Sequence, residues 1–544
     1  MNNTVFFAEK LLFNPANSDS DAIPLIFAFP NEYSVGITSL GYQIIWASLA
    51  QRTDVKVSRL FTDIKETLPI EPELLGFSVS WELDYINILN ILESLQIPIW
   101  AKERNNHHPL VFGGGPVLTA NPEPFASFFD VILLGDGENL IDNFIEGYKE
   151  IRKGDRWSKL RHLANIPGVY IPSLYEVKYH DRTGAIASIQ PLDNTIPHQV
   201  QKQTYRGNIL SASTVVTEKS AWPNIYMVEV VRSCPEMCRF CLASYLTLPF
   251  RTASIENSLI PAIEKGLAVT NRLGLLGASV TQHPEFDVLL DYLNQPKYDN
   301  LRLSIASVRT NTVTVHLAET LAKRDTKSLT IAVESGSERV RKIINKKLNN
   351  EEIIQAAINA KAGGLSGLKL YGMVGIPGEE IEDLDNTIEM MVNIKKAAPG
   401  LRLTLGCSTF VPKAHTPLQW FGVNSQAEKR LKLLEKQLRS RGIDFRPESY
   451  NWSVIQALIS RGDRRLSPLL ELTRHYGDSL GSYRRAFKEL RGKLPDLDFY
   501  VYDNWELNQV LPWSHLQGPL SIATLQKHLA TAMTYFPPLA SEHT

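Results

Sequence analysis

Three of the four cysteines in this chain of 544 residues fall together, as Cys234-Pro-Glu-Met-Cys238-Arg-Phe-Cys241. The spacing is C-x3-C-x2-C. Three thiolates on one short loop can hold three irons of a cubane [4Fe–4S] cluster. With no fourth cysteine nearby, one iron keeps an open coordination position. An open iron is a place for a substrate or cofactor to bind, whereas a cluster that only passes electrons is normally closed by four cysteines. The competing readings are a structural zinc site and a chance grouping of buried thiols. Zinc sites usually bring paired C-x2-C or Cys/His motifs with a fourth ligand downstream. Here Cys407 is the only spare cysteine, and no His lies within a few residues of the triplet. A solitary buried thiol is common; three at this spacing are not.

The elements that must position this loop are legible around it. From about Ile225, short apolar runs alternate with amphipathic helices, as a parallel α/β barrel requires. Tyr226–Val231 reads as a strand and delivers the cysteine loop at its C-terminal end, the face where such barrels keep their chemistry. Later strands are expected at Leu273–Leu276, Leu301–Ile305, Leu329–Val333, Gly367–Val374 and Arg402–Gly406. One intervening helix is well marked: Asn349 or Asn350 caps it, Glu351 and Glu352 suit its first turn, and Gly363-Gly364 ends it. Its apolar face is Ile353, Ala356, Ala357 and Ala360. Another helix places Ile381, Leu384, Ile388, Met391 and Ile394 on one face and closes at Pro399-Gly400. Cys407 ends the last strand and reads as a core thiol or a barrel-mouth residue, the core being favoured.

The cysteine spacing, with Phe240 just before the third sulfur, resembles the signature of radical S-adenosylmethionine (SAM) enzymes. In that superfamily the open iron chelates the amino and carboxylate groups of SAM, and reductive cleavage gives a 5′-deoxyadenosyl radical. The resemblance implies a [4Fe–4S] cluster on Cys234, Cys238 and Cys241, bound SAM, a partial TIM barrel, and an external electron donor of the flavodoxin or ferredoxin type. It also gives roles to the strand ends. Gly277-Ala278-Ser279-Val280 stands where these enzymes often have a Gly-Gly-Glu-Pro loop for the SAM amino group, although one glycine and no glutamate are kept. Ser304–Arg309, with Ser307 and Arg309, is a polar cluster able to reach a carboxylate or ribose. Glu334-Ser335-Gly336-Ser337 offers a carboxylate for the ribose hydroxyls and a glycine for close approach. Lys346 or Lys347 suits the SAM carboxylate. Gly372–Glu379, including Gly375, Pro377 and Gly378, is similar to the superfamily's adenine-contact segment. Each feature alone has a plain reading as a turn or a helix cap; in order behind the triplet they reinforce one another.

The N-terminal segment, residues 1–155, reads as a smaller doubly wound, Rossmann-like domain. Strands are expected at Ile23–Phe29, Leu74–Val79, Leu110–Phe112 and Val131–Leu134, and helices near Leu40–Gln51, Tyr85–Leu95 and Leu140–Ile151. Ligands are expected at the strands' carboxyl ends. The loops there are Pro30–Gly36, Ser78–Glu82, Gly113–Pro116 and Gly135–Glu138. With Asn121-Pro-Glu-Pro124, this set looks like the cobalamin-binding domain that precedes the barrel in one large class of radical SAM proteins. It departs from that class in lacking a lower axial His on an Asp-x-His-x-x-Gly loop; the domain's only His residues are His107 and His108. A vestigial or repurposed platform is the alternative. Gly76–Tyr85, Val411–Trp420, Arg461–Arg465 and Leu511–Trp513 resemble one family of bacterial radical SAM proteins with this N-terminal domain and a C-terminal helical extension. The resemblance leaves the substrate open. It favours a cobalamin-dependent C-methyltransferase, with a cobalamin-independent rearrangement or oxidation, or a non-catalytic iron–sulfur RNA-binding module, as alternatives.

The expected organisation is thus residues 1–155 cobalamin-binding-like, 156–220 a β-rich connector, 221–424 the partial barrel, and 425–544 a mostly helical extension. Residues 425–495 carry 16 Lys and Arg against 8 Asp and Glu in a chain of net charge −1. Such asymmetry can mark an RNA contact; a solvated helical face, with Leu431, Leu434 and Leu438 as its apolar stripe, is the simpler reading. His415 is open to a substrate-facing or a structural role. With 44% hydrophobic and 21% charged residues, the composition is that of an ordinary globular protein. No run of about 18 apolar residues and no signal-peptide pattern is present. Few cysteines, grouped as ligands, point to a reducing compartment, the cytoplasm. With only Cys407 left over, no second three-cysteine cluster can be built, which argues against methylthiotransferase chemistry.

Overall fold

The computed structural model describes residues 4–181 and 184–538. The N-terminal domain is a six-stranded sheet of β1 (Ile23–Ala28), β2 (Val55–Leu60), β3 (Leu74–Ser78), β4 (Leu110–Gly114), β5 (Val131–Leu133) and β6 (Val169–Tyr170), in the order β2-β1-β3-β4-β5-β6. β1 to β5 are parallel and β6 is antiparallel. Parallel strands need crossovers, and α1 (Leu40–Ala50) and α2 (Tyr85–Ser94) supply two of them, while α3 (Gly137–Glu150) follows β5. Because both faces are covered, β1 buries Leu25, Ile26, Phe27 and Ala28 in succession. The chain begins centrally at β1, steps outward to β2 and then reverses to β3, so the switch point lies between β1 and β3.

Two features of this sheet were not expected. β2 reads poorly as a strand because Lys56 and Arg59 interrupt it; in the fold the Arg59 guanidinium is buried against Glu9, at 2.8 Å, and over the Trp46 ring. The run Gly168–Ile171, expected in the connector, contributes β6. Next comes an antiparallel hairpin, β7 (Tyr175–Tyr179) and β8 (Ile186–Pro191).

The barrel is an arc of seven parallel strands: β9 (Ile225–Glu229), β10 (Arg272–Leu276), β11 (Arg302–Ile305), β12 (Ser328–Glu334), β13 (Gly367–Val374), β14 (Arg402–Thr409) and β15 (Asp444–Pro447). β9–β11 and β12–β15 form two sheets joined by a parallel bridge between Val308 and Ile331. β12 shows how the strands face: Leu329, Ile331 and Val333 are buried, while the alternate Thr330, Ala332 and Glu334 are only half-buried. Helices of this half include α4 (Leu242–Tyr245), α5 (Glu338–Ile343), α6 (Asn350–Ala362), α7 (Glu382–Ala397) and α8 (Ala427–Arg439). On α6, Asn349 and Glu352 form a reciprocal capping box, and Ile353, Ala356, Ala357 and Ala360 are buried. On α7, Leu384, Ile388, Met391 and Ile394 are buried, but Ile381 is 53% exposed because it stands at the N-cap, before the helical face begins. Cys407 is a buried core thiol.

α8 and β15 lie in the region expected to be a mostly helical extension, yet they complete the barrel. Asp444-Phe-Arg-Pro447 is polar and ends in proline, a pattern tolerated only at a sheet edge, and β15 is the edge strand. Beyond it, α9 (Tyr450–Arg461), α10 (Ser467–Tyr476), α11 (Leu480–Glu489) and α12 (Ile522–Met533) make the extension. These helices share one apolar cluster with the N-terminal sheet and with α4 and α5, whereas α6, α7 and α8 pack with the barrel strands in a second core.

The motifs that carried the family resemblance meet across this packing. Asn121 donates to the Ser460 and Gly462 carbonyls at 3.1 and 2.8 Å, Ser467 donates to Pro124 at 3.0 Å, and Arg464 pairs with buried Glu123 at 2.8 Å. Lys413 pairs with Glu82 and donates to Ser460, and Trp513 donates to Gln419 at 2.8 Å. Asn121-Pro-Glu-Pro124, grouped from sequence with the cofactor loops, is therefore a strut between the N-terminal domain and the extension.

Candidate active site

After β9 the chain turns through Val231-Arg232, paired with Arg251-Thr252, into the cysteine loop. Ser233 and Met237 hold φ of 70° and 56°, a region that non-glycine residues keep only when their surroundings fix it. Asn345 fixes it by donating to the Glu236 and Met237 carbonyls at 3.0 and 2.9 Å. In return the Arg239 backbone N–H donates to Ile344, and its guanidinium donates to Lys342 and Ile343 at 2.8 and 2.7 Å. These acceptors are carbonyls at the end of α5, where the helix leaves acceptor capacity unused. Tyr245 on α4 donates to Met237 at 3.2 Å and meets His528 of α12 at 2.9 Å.

Cys238 is buried, and Cys234 and Cys241 are half-buried. Burial pushes the Cys238 thiol up to about 12 against the opposing pull of Lys346, and raises Cys241 as well. Ligation to iron deprotonates a thiol and removes that penalty. Among the described residues, no three His, Cys, Asp or Glu groups converge to hold one metal ion. A cubane instead takes one thiolate per iron, a demand that three cysteines on one loop suit.

Facing the loop, Glu334 sits at a bulge of β12 with φ 66°. Its carboxylate is 3.1 Å from the Lys346 ammonium, and both side chains are 11% exposed. Burial opposes the charge on Lys346, but Glu334 and Cys238 outweigh it and raise its pKa. The fold thus brings Cys238, Lys346 and Glu334 together. Arg309 is engaged differently: it lies 3.1 Å from Glu236, inside the triplet, and donates to the Lys347 carbonyl at 2.9 Å. Glu236 also takes Gln282 and lies 3.6 Å from Lys347, and Ser279 donates to Gln282. Glu236 is a loop-positioning group that carried no signal in the sequence.

The other expected contacts are mostly structural in their side chains. Gly277, at φ 149°, passes so close to the Val231 carbonyl that a Cβ would collide with it; Ala278 follows it. Ser307 is exposed. Ser335 is buried and accepts from the Ser337 N–H. The Gly375 N–H donates to Glu379 at 2.6 Å, and Gly378 packs against Phe536, with Pro377 between. Burial pushes Glu379 up to about 7 although Arg430 opposes it.

A cavity of about 470 Å³ joins the two domains, within the range of roughly 300–1,000 Å³ usual for small-molecule sites. Phe27, Phe77 and Phe112 line it at the switch point with Ser78, Ser80 and Gly114; on the opposite side are Leu242, Ala243, Leu246 and Thr247, directly after Cys241. A Cβ on Gly41, in its wall, would meet nothing within 4 Å, whereas at Gly115 and Gly135 it would strike the Val79 and Gln203 carbonyls. Arg232 bridges Glu138 and Glu229, at 2.7 Å each, and Arg251 holds Asp136 at 2.6 Å, closing the seam. Burial works against the Asp136 charge, but Arg232 and Arg251 prevail and lower its pKa. Among the described residues, no His lines the cavity; His107 and His108 lie at the opposite, amino end of β4.

Residues 228–391 match the family model described as the radical SAM superfamily, and residues 45–172 match that for the N-terminal region of radical SAM proteins. An uncharacterized protein of Methanocaldococcus jannaschii is 28% identical over 450 residues, spanning 82% of this chain and 90% of that one. An uncharacterized methyltransferase of Pyrococcus horikoshii is 22% identical, over 65% of this chain and 73% of its own. The fold is similar to that of the radical SAM methyltransferase TsrM from Kitasatospora setae, solved with cobalamin and a [4Fe–4S] cluster bound, at a TM-score of 0.50 and 12% identity, covering 86% of this chain and 99% of that one.

Proposed function

We propose that this chain, which belongs to the radical SAM superfamily, holds a [4Fe–4S] cluster on Cys234, Cys238 and Cys241, cleaves SAM beside Glu334 and Lys346, and methylates an unactivated carbon with the help of a cobalamin. When bound, the cluster and SAM supply a 5′-deoxyadenosyl radical and the corrin supplies a methyl group. The observation that carries the reading is the cavity that opens on the switch-point loops at one side and on the helix after Cys241 at the other. The similarity to a protein named a methyltransferase and the TsrM-like fold support it. In this reading Lys346 offers its ammonium to the SAM carboxylate, Glu334 accepts from the ribose hydroxyls, and the Gly375–Gly378 backbone meets the adenine. Glu236, through Arg309 and Gln282, keeps the loop in shape. An external donor of the flavodoxin or ferredoxin type delivers the electron.

The cavity without histidine favours a second reading, in which the same barrel works without cobalamin and oxidises or rearranges its substrate. One experiment separates the two. Protein expressed anaerobically with hydroxocobalamin is assayed for iron, for corrin absorption, and for 5′-deoxyadenosine on incubation with SAM and dithionite. Iron, corrin and 5′-deoxyadenosine together are expected. Product without corrin, with no binding on titration at tens of micromolar (about −6 kcal/mol or weaker), removes the methylase reading and keeps the barrel chemistry.

A further inference from the structure

We propose that the C-terminal extension binds an amphipathic anion, a single apolar chain with a carboxylate or phosphate head, in a second cavity remote from the cysteine loop. This cavity holds about 530 Å³ between α9, α11 and the turn at 490–497, again a small-molecule size. Its wall is apolar: Val454 and Ile455 from α9, Leu480 and Phe487 from α11, then Leu494 and Leu497.

Its rim is cationic. Arg484 and Lys488, one turn apart on α11, and Arg491 just beyond its end all line the opening. The charged group of none of the three has a carboxylate or hydrogen-bond partner among the described residues. Most of their basic neighbours are engaged: Arg464 on Glu123, Arg465 on Asp463, Arg474 on Glu93, Arg461 on the Tyr500, Val501 and Asp503 carbonyls, and Arg485 over the Tyr476 ring; Lys493, which does not line the cavity, is the exception. The one acid at the rim, Asp496, caps the next helix by accepting from the Phe499 N–H at 3.2 Å. The basic excess of residues 425–495 therefore leaves three unspent cations at the mouth of an apolar hole. Water leaves such a wall readily for a hydrocarbon tail, and the rim complements an anionic head. A nucleic-acid backbone would gain the rim but leave the hole unfilled, so the amphipathic ligand is the better fit.

The test uses the full chain without added cofactors and cis-parinaric acid, whose fluorescence rises on entering an apolar site. Saturable binding at one site per chain is expected, with sodium dodecanoate displacing the probe about tenfold more effectively than 1-dodecanol, as three exposed ion pairs would give. The variant R484S/K488S/R491S is expected to abolish that preference with an unchanged thermal midpoint, and Val454→Trp, which fills the cavity, to remove binding. Absence of saturable binding, equal displacement by the acid and the alcohol, or an unchanged preference in the triple variant would each overturn the proposal. Should the tryptophan variant unfold, the triple variant still decides.

Discussion

At the scale of single residues, Lys346 is the hinge of the site, because one ammonium neutralises Glu334 and faces the Cys238 thiol. Lys346→Met leaves a buried carboxylate unpaired, a loss of about 3–5 kcal/mol where it occurs. In the protein that still folds, the expected result is unchanged iron content with about a tenfold or larger drop in 5′-deoxyadenosine, roughly 1.4 kcal/mol or more of lost SAM-carboxylate contact, and partial rescue by Lys346→Arg; chromatography beside an iron assay checks it. His415 makes a different claim. Burial holds it down to about 4, while in the unfolded chain it titrates near 6.5, about the ordinary value. Between those values the unfolded chain binds a proton that the folded one does not. Stability is therefore complete above about pH 6.5 and falls as pH drops toward 4, by about 2 kcal/mol at pH 5. His415→Asn, which tolerates the φ of 60°, is expected to remove that contribution from denaturant titrations of the apo chain at pH 7.5 and 5, leaving the one from His515, which burial also holds down to about 4. The cysteines were legible because ligand spacing is local. Glu236 and the pairing of Arg309 were not, since an ion pair across a loop leaves no period in the sequence.

At the scale of elements, legibility followed whether the residues that make an element also sit within it. The helix α6 has its cap, first-turn acids, apolar face and terminal glycines in consecutive residues, and all are in the fold. Asn349→Ala is expected to cost about 1 kcal/mol in urea unfolding monitored by circular dichroism, with Asn349→Ser nearly neutral. β2 and β15 were hidden for complementary reasons. The charge in β2 is neutralised by Glu66, seven residues on, and by Glu9, 50 residues back, and β15 is a short polar edge that needs only its neighbour β14. Two glycines at strand ends read as ligand loops, Gly277 and Gly135, also stand where a Cβ would strike a neighbouring carbonyl.

At the scale of the whole molecule, the domains are tied by polar struts, and the motifs that stood out in the sequence are the two halves of each strut. Spacing cannot show that Glu123 and Arg464, 341 positions apart, are partners; only the fold does. Arg464→Met leaves Glu123 buried without its cation and is expected to cost about 3–5 kcal/mol, read as a lower thermal midpoint, with the E123Q/R464M double variant recovering part of it. The cysteine loop has a comparable long-range debt. Its shape is imposed by Asn345, which lies 108 and 109 positions after the carbonyls it holds, and by the last turn of α5, whose carbonyls receive Arg239. A chain emerging from the ribosome folds as its units are completed, so the three thiols stay uncradled until α5 has been synthesised and docked. Maturation is thereby expected to be ordered in time, with the cluster set only after α5 has docked, so that a chain cut between Cys241 and Asn345 keeps all three cysteines yet has no mould in which to set a cluster.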